Sequence, residues 1–200
     1  MMEMTFLLLI VVSYLIGSIP SGLILGKKIW KTDLREHGSH NIGATNAFRT
    51  LGKNAALLIF ACDAIKGAFG VWLGGYLIGT PLALVIGGIC AIIGHNWPIF
   101  LGFRGGRGVA TGLGVIAMLV PTITLIVFAT WAIIVYVTRY VSLGSVVAAA
   151  CVPVWMVIFG EQMEIIIFGV IAALFVIVRH KPNIERLLSG TESKIKAGKK

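Results

Sequence analysis

Residues 109–138 read VATGLGVIAMLVPTITLIVFATWAIIVYVT, thirty consecutive positions without a charged side chain. A helix needs about 20 apolar residues to cross a bilayer. The stretch is therefore long for one crossing and short for two. Pro121 stands inside it, and proline, lacking a backbone N–H, marks the place where a turn would fall. Elsewhere the apolar runs are residues 4–26, 55–76, 81–101, 140–160 and 163–178. The choice at Pro121 thus separates a six-span chain from a seven-span one, and with it the side on which the C-terminus lies.

Charge decides between them. Basic residues collect on the cytoplasmic side of membrane proteins. With an outside N-terminus and a break at Pro121, the cytoplasmic segments hold sixteen of the seventeen Lys and Arg residues. They are Lys27, Lys28, Lys31, Arg35, Arg49, Lys53, Arg104, Arg107, Arg139, Arg179, Lys181, Arg186, Lys194, Lys196, Lys199 and Lys200. The seventeenth, Lys66, lies within a span, and Glu3, Glu161 and Glu164 fall outside. A single span over 109–138 would put Arg139 and the whole basic tail on the outer face. The expectation is an all-α membrane protein, one domain over residues 1–200, with spans at 4–26, 55–76, 81–101, 109–120, 122–138, 140–160 and 163–178 and a cytoplasmic tail at 179–200. The two short spans flanking Pro121 cross a thinned region or turn within the outer leaflet.

Composition agrees. Apolar residues make up 58% of the 200 positions and charged residues only 12%, about half the usual ~25%. So few charges cannot coat a water-facing surface, which excludes a soluble globular enzyme; such hydrophobicity also excludes disorder. The net charge of +9 has no soluble domain to present it to nucleic acid. Its uses are topology, anionic lipid and an anionic substrate. Cys62, Cys90 and Cys151 lie apart in apolar runs, as small buried residues and not as a disulfide or metal site. The N-terminus has no basic region of a cleaved signal, and no internal repeat of the transporter kind is visible.

Four polar clusters fall on the cytoplasmic side. Residues 38–49 pack Ser39, Asn41, Gly43, Thr45, Asn46 and Arg49 into one long loop, with neutral hydrogen-bonding groups, glycines for close backbone approach and a guanidinium fork for an anion. Residues 102–111 carry Arg104, Gly105, Gly106, Arg107 and Gly108 at the start of the fourth span. There glycine amides can form an anion nest beside a helix N-terminus. Residues 139–145 hold Ser142, and residues 179–192 hold His180 and Asn183. His180 would sit at the membrane boundary with a pKa suited to proton exchange. Asp63 and Lys66, i and i+3 on one helical face, and His95 near the end of the third span read either as structural groups or as lining the same cavity. No metal-binding spacing, no GxSxG and no paired catalytic carboxylates occur, so no metal and no cofactor is expected. What remains is a hydrogen-bonding, anion-binding cavity at the cytoplasmic leaflet. It suits a lipid-phosphate reaction or the transport of an anion; a non-catalytic scaffold would leave the polar loops without a purpose.

The segments 17–22 (GSIPSG), 38–46 (GSHNIGATN), 104–111 (RGGRGVAT) and 180–190 (HKPNIERLLSG) resemble, in order and along essentially the whole chain, the signatures of the bacterial acyl-phosphate:glycerol-3-phosphate acyltransferase family, PlsY. The clearest departure is arginine at 104 and 107, where lysine is as common; both bind phosphate. The resemblance implies transfer of a fatty acyl group from acyl phosphate to the sn-1 hydroxyl of glycerol 3-phosphate. The products are 1-acylglycerol 3-phosphate (lysophosphatidic acid) and phosphate, the first step of bacterial phospholipid synthesis. It implies a site at the cytoplasmic leaflet of the bacterial plasma (inner) membrane and, as a partner, the upstream enzyme that forms acyl phosphate. Phosphate is a good leaving group, so positioning and oxyanion stabilisation suffice. On this reading Arg104–Gly108 hold one substrate phosphate, Arg49 with Ser142, His180 and Asn183 hold the glycerol phosphate, and Ser39, Asn41 and Asn46 orient the reacting groups. Gly43 and Thr45 complete the substrate-binding set. Either His180 or a substrate phosphate oxygen is the base. Gly17, Gly22, Gly87 and Gly88 would let helices approach closely and leave a groove for the acyl tail.

Overall fold

The computed structural model of the protein describes residues 2–195. Lys196, Lys199 and Lys200, counted above among the cytoplasmic charges, lie outside the described residues. Among these there are helices, turns and loops but no strand. In chain order the helices are α1 (Met2–Ser18), α2 (Ser21–Trp30), α3 (Ala44–Leu51), α4 (Lys53–Leu77) and α5 (Pro81–Asn96), then α6 (Val109–Leu119), α7 (Pro121–Thr138), α8 (Val141–Ile158), α9 (Met163–Arg179) and α10 (Lys181–Leu188).

Five segments among the described residues are long and apolar enough to cross a membrane: Met2–Trp30, Lys53–Leu77, Pro81–Leu101, Pro121–Thr138 and Val141–Ile158. The pair α9 and α10, bent by 58° at His180, makes a sixth if counted as one span. Residues 109–138 are two helices that meet at Val120, with Pro121 opening the second. The first of them, α6, has 11 residues, about 17 Å at 1.5 Å per residue, against a hydrocarbon core of ~30 Å. The first apolar run is likewise broken. It holds α1 and α2, separated at Ile19 and Pro20, because proline removes a helical hydrogen bond and keeps the residue before it out of helical geometry. The stretch between the first and second spans is not all loop: α2 runs on to Trp30, and α3 occupies eight residues inside it.

The chain forms two compact units, divided after Leu119. In the first, α5 packs against α1 and α4, and α4 packs against α6. Apolar burial drives little helix association in lipid, so close backbone contact between small residues takes its place. Gly70 of α4 and Gly87 of α5 lie backbone to backbone, and a Cβ on either would collide with the other's carbonyl oxygen. Gly17 abuts Ala91, Gly88 abuts the Val115 side chain, and Gly22 abuts the Ile42 carbonyl, so all four glycines singled out in the sequence sit at tight contacts. In the second unit α8 packs against both α7 and α9, and α10 folds against α8 and α9. Its outward side chains, among them Leu125, Ile133, Tyr136 and Val137, are apolar and largely exposed, as a lipid-facing surface requires.

Candidate active site

The first cluster is built around Asn46. Its Nδ2 lies 2.8–3.0 Å from the carbonyls of Leu34, His37 and Asn41. Its Oδ1 accepts the Ser39 N–H at 2.9 Å. The residue is buried on α3, and Gly38, at φ 62°, passes so close that a Cβ there would strike Asn46 Oδ1. The Asn46 amide is engaged by the loop itself. The residue therefore shapes the site by fixing Ser39 and Asn41, where the sequence had suggested a direct role in orienting substrate. Asn41 Oδ1 accepts the Gly43 N–H at 2.8 Å, and Gly43 in turn caps α3. The cap sends Thr45 and Arg49 out one turn apart on the same face of α3, both half-buried. Upstream, Asp33 anchors the loop: Arg35 donates from its backbone at 2.9 Å and from Nη2 at 2.7 Å, and Lys27 Nζ is 2.9 Å away. The Arg35 guanidinium, helped by Lys27 and opposed by burial, holds the Asp33 carboxyl well below the usual carboxylate range.

The second cluster is a turn braced on the end of α5. After a single 3-10 turn (Ile99–Leu101), Gly102 and Phe103 take positive φ values of 56° and 63° and reverse the chain. The Gly106 N–H then donates to the His95 carbonyl at 3.0 Å and the Gly105 N–H to the Asn96 carbonyl at 3.2 Å. This corrects the nest suggested by the glycine run. Those two amides are directed at α5, and the glycines serve to bring the turn against it. Within the turn Arg104 is exposed and Arg107 half-buried, and α6 starts just after Gly108.

The third and fourth clusters meet within the second unit. Ser142, on the first turn of α8, donates from Oγ to Glu192 Oε1 at 2.8 Å. Asn183 Nδ2 donates to the same oxygen at 2.7 Å, and Arg186 Nε donates to Oε2 at 2.7 Å. Glu192 reaches this position because α10 ends in a reversal: Gly190 has φ 72°, and the Thr191 and Glu192 N–H groups return to the Arg186 carbonyl. Burial raises the Glu192 pKa, but the bonds from Asn183, Ser142 and Arg186 outweigh it and leave the carboxyl below its ordinary value. His180 caps α10, is buried, and lies with Nδ1 2.7 Å from the Val176 carbonyl. A carbonyl can only accept, so Nδ1 is the nitrogen that donates in this contact. Glu192 was not singled out in the sequence. The signal was there, in the Gly190 that turns the chain back two residues before a lone carboxylate.

A family model described as glycerol-3-phosphate acyltransferase matches residues 7–190. The chain belongs to the glycerol-3-phosphate acyltransferase family. Its relatives include glycerol-3-phosphate acyltransferase 2 of Moorella thermoacetica, 45% identical over 95% of this chain and 97% of the relative. Another is the glycerol-3-phosphate acyltransferase of Syntrophomonas wolfei, 44% identical over 94% and 95%. Among solved structures, this acyltransferase is similar to the integral membrane glycerol 3-phosphate acyltransferase PlsY (YgiH). The glycerol 3-phosphate form of that protein aligns with a TM-score of 0.91 at 36% identity, covering 96% of both chains. Its lysophosphatidic acid form aligns at 0.89 and 35%, over 96% and 95%. In this acyltransferase, then, Asn46, Gly105, Gly106 and Glu192 hold the loops in shape.

Proposed function

We propose that this chain transfers a fatty acyl group from acyl phosphate to the sn-1 hydroxyl of glycerol 3-phosphate, releasing 1-acylglycerol 3-phosphate and inorganic phosphate. The observation that carries this reading is the likeness, over 96% of the chain, to an acyltransferase described in both a glycerol 3-phosphate form and a lysophosphatidic acid form. The sn-1 oxygen attacks the acyl carbon, the bond from that carbon to the phosphate oxygen breaks, and the hydroxyl proton passes to a base. The two candidates for that base are His180 and a phosphate oxygen of the substrate. In the first unit Arg104 and Arg107 bind a substrate phosphate, Arg49 binds phosphate on the α3 face, and Ser39, Asn41, Gly43 and Thr45 orient the reacting groups. In the second, Ser142, His180 and Asn183 act on the acceptor alcohol, with Glu192 aligning Ser142 and Asn183. Phosphate is a good leaving group, so the reading invokes no covalent acyl-enzyme and rests on positioning and charge stabilisation.

The chain crosses a bacterial plasma membrane seven times with its N-terminus outside, α6 and α7 being the two spans that flank Pro121, and its polar loops face the cytoplasmic leaflet. The distribution of basic residues supports this arrangement, which suits the uptake of acyl phosphate from an upstream cytoplasmic enzyme. Cysteine substituted at Lys53 should react with a membrane-impermeant maleimide only in inverted vesicles, and cysteine at Glu161 only in right-side-out ones. The opposite pattern refutes the orientation.

The activity is tested by giving the purified protein palmitoyl phosphate with and without glycerol 3-phosphate. Phosphate release that depends on glycerol 3-phosphate, with lysophosphatidic acid formed, is the expected result. Folded protein that forms no lysophosphatidic acid but admits glycerol 3-phosphate into liposomes would make it a transporter.

A further inference from the structure

Beneath the 104–108 turn, still within the first unit, lie three titratable side chains that the proposed reaction does not use. Asp63, Lys66 and His95 are 3%, 6% and 5% exposed. Lys66 Nζ is 2.9 Å from Asp63 Oδ1 and donates to the Ile19 carbonyl at 3.0 Å, at the α1–α2 break. His95 Nδ1 lies 3.7 Å from the same Asp63 oxygen, too long for a hydrogen bond but close for an electrostatic contact. The other edge of the imidazole faces the turn. A Cβ at Gly106 would collide with Nε2 and come within 2.7 Å of Cε1. The backbone continues the contact, since the His95 and Asn96 carbonyls receive the Gly106 and Gly105 N–H groups. The fully buried Asn96 amide lies under Gly108, where a Cβ would be 2.9 Å from Oδ1.

We propose that His95, held in orientation by the buried Asp63–Lys66 pair, is a positioning residue that sets the height and tilt of the 104–108 turn and so the aim of Arg104 and Arg107. This rests on the reading that the turn binds a substrate phosphate. A buried ion pair is a poor device for stability alone, because apolar residues of the same volume do as well. It is a good device for fixing one side chain in one place. Here the fixed side chain is the floor of the turn, and glycine at 106 is what lets the turn rest on it.

The experiment measures kcat and the KM of each substrate for the full-length enzyme and four variants: His95→Ala, Gly106→Ala, the double variant carrying both, and Arg104→Ala. The expected result is that His95→Ala and Gly106→Ala each raise the KM of one substrate about tenfold, the same substrate that Arg104→Ala affects, with the other KM and kcat within about threefold of wild type. In the double variant the losses should not add, because alanine at 95 vacates the space that the new methyl group needs. Unchanged KM values in His95→Ala and Gly106→Ala, with Arg104→Ala raising one, would overturn the positioning role and leave the phosphate reading standing. Unchanged KM values in Arg104→Ala would overturn the phosphate reading and this inference with it. A uniform fall in kcat with both KM values unmoved, or additive losses in the double variant, would make His95 a merely structural residue. Should His95→Ala fail to purify as a folded species, Asp63→Asn with Lys66→Met removes the pair together. It is expected to raise the same KM, and an unmoved KM refutes the proposal.

Discussion

Replacing Glu192 by Gln keeps size and shape and removes one charge. The carboxylate accepts three bonds: Ser142 Oγ and Asn183 Nδ2 on one oxygen, Arg186 Nε on the other. Glutamine has a single acceptor oxygen. If it faces Ser142 and Asn183, its amide N–H₂ faces the Arg186 donor, and that bond is lost. The Arg186 side chain is 39% exposed, so solvent screening reduces the loss of the ion pair to about 1 kcal/mol. The two retained bonds become neutral, each weaker by about 0.5–1 kcal/mol. Together the change costs about 2–3 kcal/mol of local stability, or roughly 30- to 150-fold in the population of the opened tail. Hydrogen exchange reads this directly, because the Thr191 and Glu192 amides are protected only while the reversal after α10 is formed. Their protection should fall by that factor, while amides in the middle of α4 keep theirs. The same carboxyl gives a pH signature. Its pKa is lowered from an ordinary 4.5, so its contribution is present above that value and is lost as pH falls through the lower folded-state value. Protection of the two amides should hold from neutrality to about pH 5 and decline in stronger acid in wild type, and show no such step in the Gln variant. Unaltered protection in the variant would refute the reasoning.

Arg104→Ala and Arg49→Ala should each lower kcat/KM by at least ~10²-fold with expression and elution volume unchanged, as expected when a charge-assisted contact to phosphate is removed; near-normal turnover in both removes the phosphate assignments. His180→Asn retains a donor for the Val176 carbonyl but has nothing in place of Nε2. Loss of most activity at neutral pH makes His180 the base, and substantial retained activity assigns the proton to a substrate phosphate. Asn46→Ala strips four hydrogen-bond contacts from the 34–46 loop at once. It should therefore expose that loop to limited proteolysis as well as lower kcat, and a protease-resistant variant with low kcat would return Asn46 to direct substrate contact.

Much of the architecture is written locally. An apolar run of about 20 residues commits a segment to the bilayer whatever its neighbours do, and proline at 20 and 121 breaks a helix because the missing N–H is its own. The polar loops were legible for the same reason, as glycine, asparagine, serine and arginine concentrated between apolar runs. The duties of their members were not. Asn46 carries the side chain of a substrate ligand, and its partners 5 to 12 residues away turn it into the post of the loop. The glycines at 105 and 106 suggested a nest, and α5 claims their amides. Glu192 lies 50 residues from the Ser142 it binds, and His95 lies 32 positions from the Asp63 it faces. Composition, period and charge are properties of neighbours along the chain, so the sequence alone determined the membrane class, the breaks and the family. Which donor meets which acceptor depends on where helices cross, and that emerges from the packing of the folded chain.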